Sequence, residues 1–200
     1  TASSCAFAAL ARQAAQEENH AMGRFVMAGG GIGSKADMRF AEMIQDEPLG
    51  FPLQRARFDT CDREPTTATD IQLSLTAENV CEIKANPRLF GEPIVQAVEA
   101  LGGRLHPAQV GNGARTTRAV CQCHLSYHRR HVLQEMRLII NDLYEQGCKS
   151  IKPILVGSCG GGTNAAFAPL MCQWLSHDSS FRSELLVGLS PHYLLDPIVV

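Results

Sequence analysis

Short apolar runs alternate with longer stretches of helical periodicity along most of this chain. From Arg24 onward, glycine or small polar residues stand at each junction between an apolar run and a helical stretch. This alternation is typical of βαβ units, in which parallel strands form one sheet covered by helices. The pattern therefore predicts an α/β fold, a three-layer Rossmann-like parallel sheet with helices on both faces.

Five apolar runs are predicted as strands. Residues 151–157 give the strongest signal, because the run is apolar on both faces, as expected of an interior parallel strand. The other predicted strands are residues 24–28, 53–59, 80–84 and 185–189.

Helical periodicity fills most of the chain between these strands. The longest such stretch covers residues 117–146, and Gly147 is well placed to end it. Helices are also predicted over residues 34–45, 93–101 and 165–175. The second of these stops at Gly102-Gly103, a pair that commonly ends a helix.

The chain is predicted to hold one domain. Residues 1–23 are alanine-rich and are expected to form a helical extension or a segment foreign to the domain. Residues 24–200 contain no repeat and no low-complexity linker. Because the last predicted strand is not followed by a crossover helix, we expect the domain to be truncated at its C-terminal end.

Charge and hydropathy exclude several classes of partner. The 200 residues carry 18 Lys and Arg against 20 Asp and Glu, so no basic field favours nucleic acid. No stretch reaches the roughly 18 apolar residues of a membrane span, and the N-terminal segment lacks the pattern of a secretory signal. A cytoplasmic protein is expected.

The eight cysteines are scattered and lack the paired CxxC spacing of a structural zinc site. Most are interpreted as reduced core thiols. The nearest approach to a ligand cluster is Cys121-Gln122-Cys123-His124, which has no second half. The histidines at 124, 128 and 131 have the spacing of a solvated helix face, which is favoured over a metal site.

Two glycine-rich turns carry the clearest chemistry. Gly160-Gly161-Gly162-Thr163 follows the strongest strand and precedes a helix, so bare backbone N–H groups and the helix N-terminus favour an anion such as phosphate. Residues 29–33 form the equivalent turn after the first strand. Two such loops at the ends of neighbouring parallel strands would face one crevice.

This pair of loops resembles the tubulin/FtsZ superfamily, whose signature is a GGGTG-type loop after the fourth strand and a glycine-rich loop after the first. Gly160-Gly161-Gly162-Thr163 matches, and Asn164 replaces the family's final glycine. Asparagine tolerates left-handed backbone, so the loop shape can survive. The motif shapes look closest to divergent bacterial tubulin-like proteins.

The resemblance implies a set of nucleotide contacts on the loops after the strands. Its acidic loop after the second strand would approach the phosphates and Mg²⁺, with Asp62 as an indirect magnesium contact. The loop ahead of the long helix would contact phosphate, although Ala85-Asn86-Pro87 is a rival for that role, and Arg115 or Arg118 would offset charge. The implied nucleotide-binding residues are Gly29, Gly30, Gly31, Ile32, Gly33, Asp59, Gly113, Ala114, Arg115, Gly160, Gly161, Gly162, Thr163, Asn164 and Asp196.

The function implied by the resemblance is binding of GTP or GDP with Mg²⁺, and GTP-dependent self-association into filaments by the full-length protein. Hydrolysis in the family uses an acidic loop from its C-terminal half, which residues 1–200 do not include. No catalytic residue is therefore assigned, and GTPase activity stays open. Weak nucleotide binding and poor hydrolysis are expected of this chain alone.

Other functions remain as alternatives. Residues 29–33 are also a loose dinucleotide fingerprint of a Rossmann oxidoreductase, although GxGxxG is not met and Asp59 lies further on than the expected spacing. A tubulin-like scaffold that has lost nucleotide turnover is a second alternative. Gly33-Ser34-Lys35 has the wrong order for a phosphate-loop NTPase, and a cysteine hydrolase at Cys159 or Cys123 with His124 or His128 has no support in the spacing.

Overall fold

The computed structural model describes residues 22–30, 52–61, 70–106, 113–114, 117–157 and 162–199. Elements are numbered over these residues. The strands are β1 (Met22–Gly29), β2 (Leu53–Asp59), β3 (Asp70–Gln72), β4 (Ser150–Val156) and β5 (Ile198–Val199). They form one sheet in the order β3-β2-β1-β4-β5, and every pair is parallel.

Six α-helices and two 3-10 turns lie between or after these strands. The 3-10 turns are Pro87–Phe90 and Pro191–Tyr193. The helices are α1 (Ala77–Ala85), α2 (Glu92–Leu101), α3 (Arg118–Tyr127), α4 (Arg129–Glu145), α5 (Gly162–Ser176) and α6 (Ser179–Leu185). None of the helices in the described ranges is long and apolar enough to cross a membrane.

The strand order reverses direction at β1, whose neighbours are β2 on one side and β4 on the other. Ala28 pairs with both Arg57 and Val156, so the three central strands end at nearly the same level. This is the topological switch point at which an open α/β sheet forms a crevice at the carboxyl ends of its strands. The predicted α/β fold, a parallel sheet flanked by helices in a Rossmann-like arrangement, is confirmed.

Alternating side chains of the strands supply two buried surfaces. Phe25 and Met27 of β1 and Phe58 of β2 join the main core with residues of α3, α4, α5 and α6. Val26 and Ala28 point to the other face, where they pack with Ile154 and Val156 of β4. A third cluster packs α1 and α2 against α3. This two-face burial explains the continuous apolar character of β1 and β4.

Two of the predicted strands are wrong. Residues 80–84 belong to helix α1, because Thr76 and Asn79 form a reciprocal capping box and Val80 and Ile83 bury one helical face. The third strand is Asp70–Gln72, a segment too short to show a periodicity.

The second wrong strand covers residues 185–189. Asp178 caps helix α6, which ends at Leu185, and Gly188 then takes a positive φ of 84° in a turn. The last strand is Ile198–Val199 instead.

The predicted helix over residues 117–146 is two helices that meet at His128. Nε2 of His128 lies 2.8 Å from the carbonyl of Ser74, 54 positions away in sequence, and the backbone ψ of His128 is 15° instead of the helical value. Periodicity cannot register such a tertiary contact. The predicted helices near residues 93–101 and 165–175 are confirmed with slightly longer bounds, while residues 34–45 lie outside the described ranges.

Candidate functional site at the carboxyl edge of the sheet

The carboxyl ends of β1 and β2 are joined just where β1 stops. Gly29 ends the strand, and the N–H of Gly30 donates to the carbonyl of Phe58 over 3.0 Å. Gly30 has a φ of 145°, a conformation that side-chain-bearing residues rarely adopt. Glycine at position 30 therefore lets the chain turn out of the sheet at the switch point.

Thr60, directly after β2, connects three loops through one hydroxyl group. Its side chain is buried at 1% exposure. The hydroxyl accepts a hydrogen bond from the N–H of Ala114 at 3.1 Å and lies 3.2 Å from the hydroxyl of Thr163. Residues far apart in sequence, after β2, before α3 and in the first turn of α5, thus meet at one side chain.

Gly113 fits against this junction only because it lacks a side chain. A Cβ on Gly113 would lie 2.6 Å from Sγ of Cys61, 3.0 Å from the hydroxyl oxygen of Thr60 and 3.1 Å from the backbone nitrogen of Cys61. Its φ of 72° also favours glycine. The loop before α3 is therefore fixed against the loop after β2.

Helix α5 begins at the same junction. It has 15 residues and starts at Gly162, next to Thr163. The first four N–H groups of a helix have no partner within it, and the helix dipole adds partial positive charge there. The thiol of Cys121 on α3 donates to the carbonyl of Thr163 at 3.1 Å and so holds α3 beside the start of α5. An anion is the ligand favoured by this helix end.

Asp59 is the acidic group of the site. It is 8% exposed, and its Oδ1 accepts the N–H of Cys61 at 3.0 Å. The backbone carbonyl of Asp59 accepts the N–H of Leu73, which ties the end of β2 to the segment after β3. A carboxylate has about four lone-pair sites, so the bond from Cys61 leaves capacity for a ligand.

Two histidines, one in α3 and one at its C-terminal cap, contact the segment that follows β3. Nδ1 of His124 lies 2.7 Å from the carbonyl of Leu73, and Nε2 of His128 lies 2.8 Å from the carbonyl of Ser74. Burial lowers the pKa of His124 to about 4, against the opposing effects of the Leu73 carbonyl and the Asp59 charge. Burial also lowers the pKa of His128. Both rings are neutral near pH 7 and donate to these carbonyls.

The thiols of α3 are not activated. Burial raises the pKa of Cys123 to about 12 and raises that of Cys121 further above its ordinary range. The neighbouring histidines face carbonyls, so no thiol–imidazole pair for a cysteine hydrolase forms among the described residues. Within the same ranges, no three His, Cys, Asp or Glu side chains are grouped to hold a metal ion.

A surface groove of about 530 Å³ adjoins the junction. Thr117 lines this groove, and its N–H donates to the carbonyl of Ala114. Arg104 and His106 supply polar groups to its lining. The remaining lining residues are Ala100, Leu101, Ala119 and Val120. A second groove of about 520 Å³ is lined by residues at the end of α5, in α6 and after α6.

The structure gathers part of the predicted site and separates one residue from it. The predicted residues at or next to the junction are Gly29, Gly30, Asp59, Gly113, Ala114, Gly162 and Thr163. Asp196 is exposed and lies before β5, two residues ahead of Ile198, which pairs with Ile154. That register puts Asp196 about 13 Å below the carboxyl end of β4. The premise that it follows the fifth strand was wrong, because that strand begins at Ile198.

Other predicted residues are outside the described ranges. They are Gly31, Ile32, Gly33, Asp62, Arg115, Gly160 and Gly161, together with the side chain of Asn164. Ala85, the start of the rival loop, ends helix α1, and Asn86 precedes a 3-10 turn. Arg118 is exposed at the first turn of α3, one residue after Thr117.

Sequence reasoning missed the residues that join the loops. The local sequence gives Thr60 no role of its own, and it presents Cys121 and His124 as members of a weak metal motif, with His124 also weighed as the partner of a cysteine nucleophile. A threonine directly after a strand gives no signal of its long-range partners. The spacing of Cys121, His124 and His128 does indicate one stripe of a helix, which is the stripe that faces the loops.

No protein family model, no curated protein and no solved structure matches this chain.

Proposed function

We propose that the carboxyl edge of this sheet binds the phosphates of a guanine nucleotide, GTP or GDP with Mg²⁺, and that the chain is the nucleotide-binding domain of a tubulin/FtsZ-like protein. The observation that carries the proposal is the Thr60 hydroxyl. It joins the loop after β2, the loop before α3 and the start of α5 at the switch point of the sheet.

A phosphate group suits this junction for electrostatic reasons. α5 begins beside Thr60 at the carboxyl edge of the sheet, and a helix N-terminus carries partial positive charge and N–H groups without a partner inside the helix. Thr163 adds a hydroxyl, which can donate to a phosphate oxygen. Arg118, exposed in the first turn of α3, is a candidate to offset phosphate charge, as the resemblance implies.

Magnesium fits the same edge through its preference for oxygen ligands. The Asp59 carboxylate is a hard oxygen donor at the end of β2. Mg²⁺ commonly keeps several waters and is held by one or two carboxylates plus substrate phosphates. A bound Mg²⁺ would neutralise phosphate charge. Asp59 would lie beside the ion, and the resemblance implies the same position for Asp62.

The order of the loops supports the family-level proposal. The glycine-rich loop follows β1, the acidic residue ends β2, and Gly162-Thr163 of the triple-glycine motif opens the helix after β4. The guanine base, cytoplasmic location and filament formation of the full-length protein rest on the resemblance. GTP hydrolysis is left without an assigned catalytic residue.

A dinucleotide site is the second candidate, and one observation favours it. The order β3-β2-β1-β4-β5 is shared with dinucleotide-binding folds, in which an acidic residue near the end of the second strand binds the ribose. Asp59 occupies that position. The GxGxxG sequence of such sites is missing, so NAD ranks below a guanine nucleotide.

A thermal-shift titration of the full 200-residue chain tests the proposal. GTP, GDP, ATP and NAD would each be added with and without Mg²⁺. A ligand that binds only the native state at about 100 times its Kd adds about 2.7 kcal/mol of stability. We expect the largest stabilisation from GTP or GDP with Mg²⁺.

Thr60→Val is the site variant, since valine keeps the shape but removes the hydroxyl that organises the loops. Ser183→Ala is the matched control, because Ser183 is exposed on α6 and its hydroxyl donates to the Ser180 carbonyl. The stabilisation by GTP should shrink in Thr60→Val and persist in Ser183→Ala. Stabilisation by NAD alone would favour the dinucleotide site, and no response to any nucleotide would favour the scaffold alternative.

A further inference from the structure

His124 lies on a stripe of α3 that follows the edge of the candidate site. Cys121, one turn earlier, contacts the Thr163 carbonyl, and His128, one turn later, contacts the Ser74 carbonyl. Between them, His124 contacts the Leu73 carbonyl and lies within the electrostatic field of the Asp59 carboxylate. The ring is therefore surrounded by residues that form or adjoin the junction.

The tautomer of His124 is fixed by its partner. A carbonyl oxygen only accepts hydrogen bonds, so Nδ1, at 2.7 Å from it, must carry the proton. In a neutral ring Nε2 is then a bare acceptor. His124 is fully buried at 0% exposure, and its Nε2 has no hydrogen-bond partner among the described residues.

Only a hydrogen-bond donor can satisfy a buried acceptor of this kind. Buried polar atoms in native proteins are nearly always satisfied, and an unsatisfied one calls for a specific explanation. Nε2 only accepts, so an acceptor such as a phosphate oxygen is disfavoured beside it. A group that presents an O–H bond satisfies it.

We propose that Nε2 of His124 accepts a hydrogen bond from an O–H group of the bound nucleotide complex, so that His124 is a positioning residue of the nucleotide site. The donor is a hydroxyl of the ribose or a water bound to the metal ion, which share this chemistry. The inference rests on the proposed function, since it assigns a residue to that same site.

His124→Asn separates this role from the structural one. The asparagine amide can replace Nδ1 as the donor to the Leu73 carbonyl, but it has no atom at the place of Nε2. His128→Gln is the matched control, because the glutamine amide reaches about as far as Nε2 and can keep the bond to Ser74. Affinity for GTP with Mg²⁺, measured by calorimetry, should fall about threefold to tenfold in His124→Asn and stay near the parental value in His128→Gln.

The two donor sources are distinguished by the ligand. If the ribose is the donor, 2′,3′-dideoxy-GTP with Mg²⁺ should bind the parent and His124→Asn equally. If a metal-bound water is the donor, the parent and His124→Asn should differ only when Mg²⁺ is present. An equal loss with every ligand, with or without Mg²⁺, would mark a structural role and overturn the inference.

Nitrogen NMR of the ¹⁵N-labelled parent chain keeps the inference testable even if His124→Asn does not fold. Long-range ¹H–¹⁵N correlations should show the proton on Nδ1 and a bare Nε2, and the Nε2 resonance should move toward the hydrogen-bonded position when GTP and Mg²⁺ bind. Binding that leaves the Nε2 resonance unchanged overturns this inference alone. Absence of binding by GTP, GDP, ATP and NAD overturns both it and the proposed function.

Discussion

The two edges of the sheet use their polar groups differently. At the amino edge, polar side chains bond to backbone groups of other segments. Arg182 donates to the carbonyls of Leu175 and Leu194. Asp178 caps α6 through the N–H of Phe181 and pairs with Arg129 at 2.8 Å. These contacts satisfy helix ends and turns, so they contribute to stability and leave little for a ligand.

At the carboxyl edge, the polar groups organise loops around the end of a helix. Thr60 contacts two other segments, one of which is the start of α5. Nε2 of His124 has no hydrogen-bond partner in the described part of the chain. The polar groups of the first region therefore contribute to stability, whereas the carboxyl edge retains hydrogen-bonding capacity for a ligand. Three predictions test this separation.

The largest effect is expected from Trp174→Ala, in the core beside α6. Trp174 is buried, stacks on Phe181 at 5.2 Å between ring centroids, and lies beneath the Arg129 guanidinium. Removing the indole should lower the free energy of unfolding by about 3–5 kcal/mol, as for other large-to-small core changes. Urea denaturation measures this loss.

Nucleotide affinity of the folded Trp174→Ala protein should remain near the parental value. Trp174 lies about 17 Å along α5 from Thr163, at the rise of 1.5 Å per residue. Trp174→Phe, which retains an aromatic ring, should recover part of the stability. A loss of affinity well beyond threefold in folded Trp174→Ala would show that the core beside α6 and the ligand site are coupled and would break the comparison.

The second effect is a dependence of stability on pH through His124. Burial lowers its pKa to about 4 in the folded chain, below the ordinary value of 6.5. The unfolded chain therefore binds the proton more readily, so stability is fully present above pH 6.5 and declines as the pH falls toward 4. The loss is about 2 kcal/mol at pH 5 and about 3 kcal/mol at pH 4.

Comparison with His124→Asn isolates this contribution from those of the carboxylates, which titrate in the same range. The difference in unfolding free energy between parent and variant should shrink, or change sign, as the pH falls from 7.5 to 5. Asp59 and His128 are the charged or titratable groups that act on the ring, with opposite signs. A parent–variant difference that is constant across this range would contradict the assignment of a buried neutral His124.

Much of the fold could be predicted because hydrophobic periodicity reports burial directly. β1, β2 and β4 are long enough for their apolar pattern to show, and α2 carries its own stop signal at Gly102. β3 has three residues and β5 has two, too few for any pattern. The prediction for segment 80–84 was wrong because five residues of mixed polarity fit a strand as well as a helix. The capping box at Thr76 is the signal that distinguishes the helix.

The candidate site was predictable only where glycine signals a backbone requirement. Gly30 and Gly113 adopt positive φ, which the sequence suggested from their place in glycine-rich turns. Thr60 and His124 act through partners 54 and 51 positions away in sequence, and no local pattern encodes such contacts. Asp196 was misplaced because its assignment depended on a strand that is in fact a helix and a turn.

The smallest of the three stability effects is expected from Gly113→Ala, and it acts on the carboxyl edge itself. The added Cβ would meet the Cys61 backbone nitrogen at 3.1 Å, which cannot move aside as a side chain could. Overpacking and a left-handed φ together should lower the free energy of unfolding by about 2 kcal/mol. Chemical denaturation measures the loss, and calorimetry with GTP and Mg²⁺ should show weaker binding because the loop is displaced from Thr60.

Gly102→Ala is the matched control for Gly113→Ala. Gly102 also has a positive φ, 53°, but its added Cβ would have no neighbour within 4 Å. It should therefore lose only about 1 kcal/mol from backbone strain and retain parental affinity. The difference between the two variants measures how tightly the loop before α3 is held against Thr60. Equal losses of stability with unchanged affinity in both would mean that this contact does not organise the ligand site, and the distinction between the two edges would then rest on α5 and His124 alone.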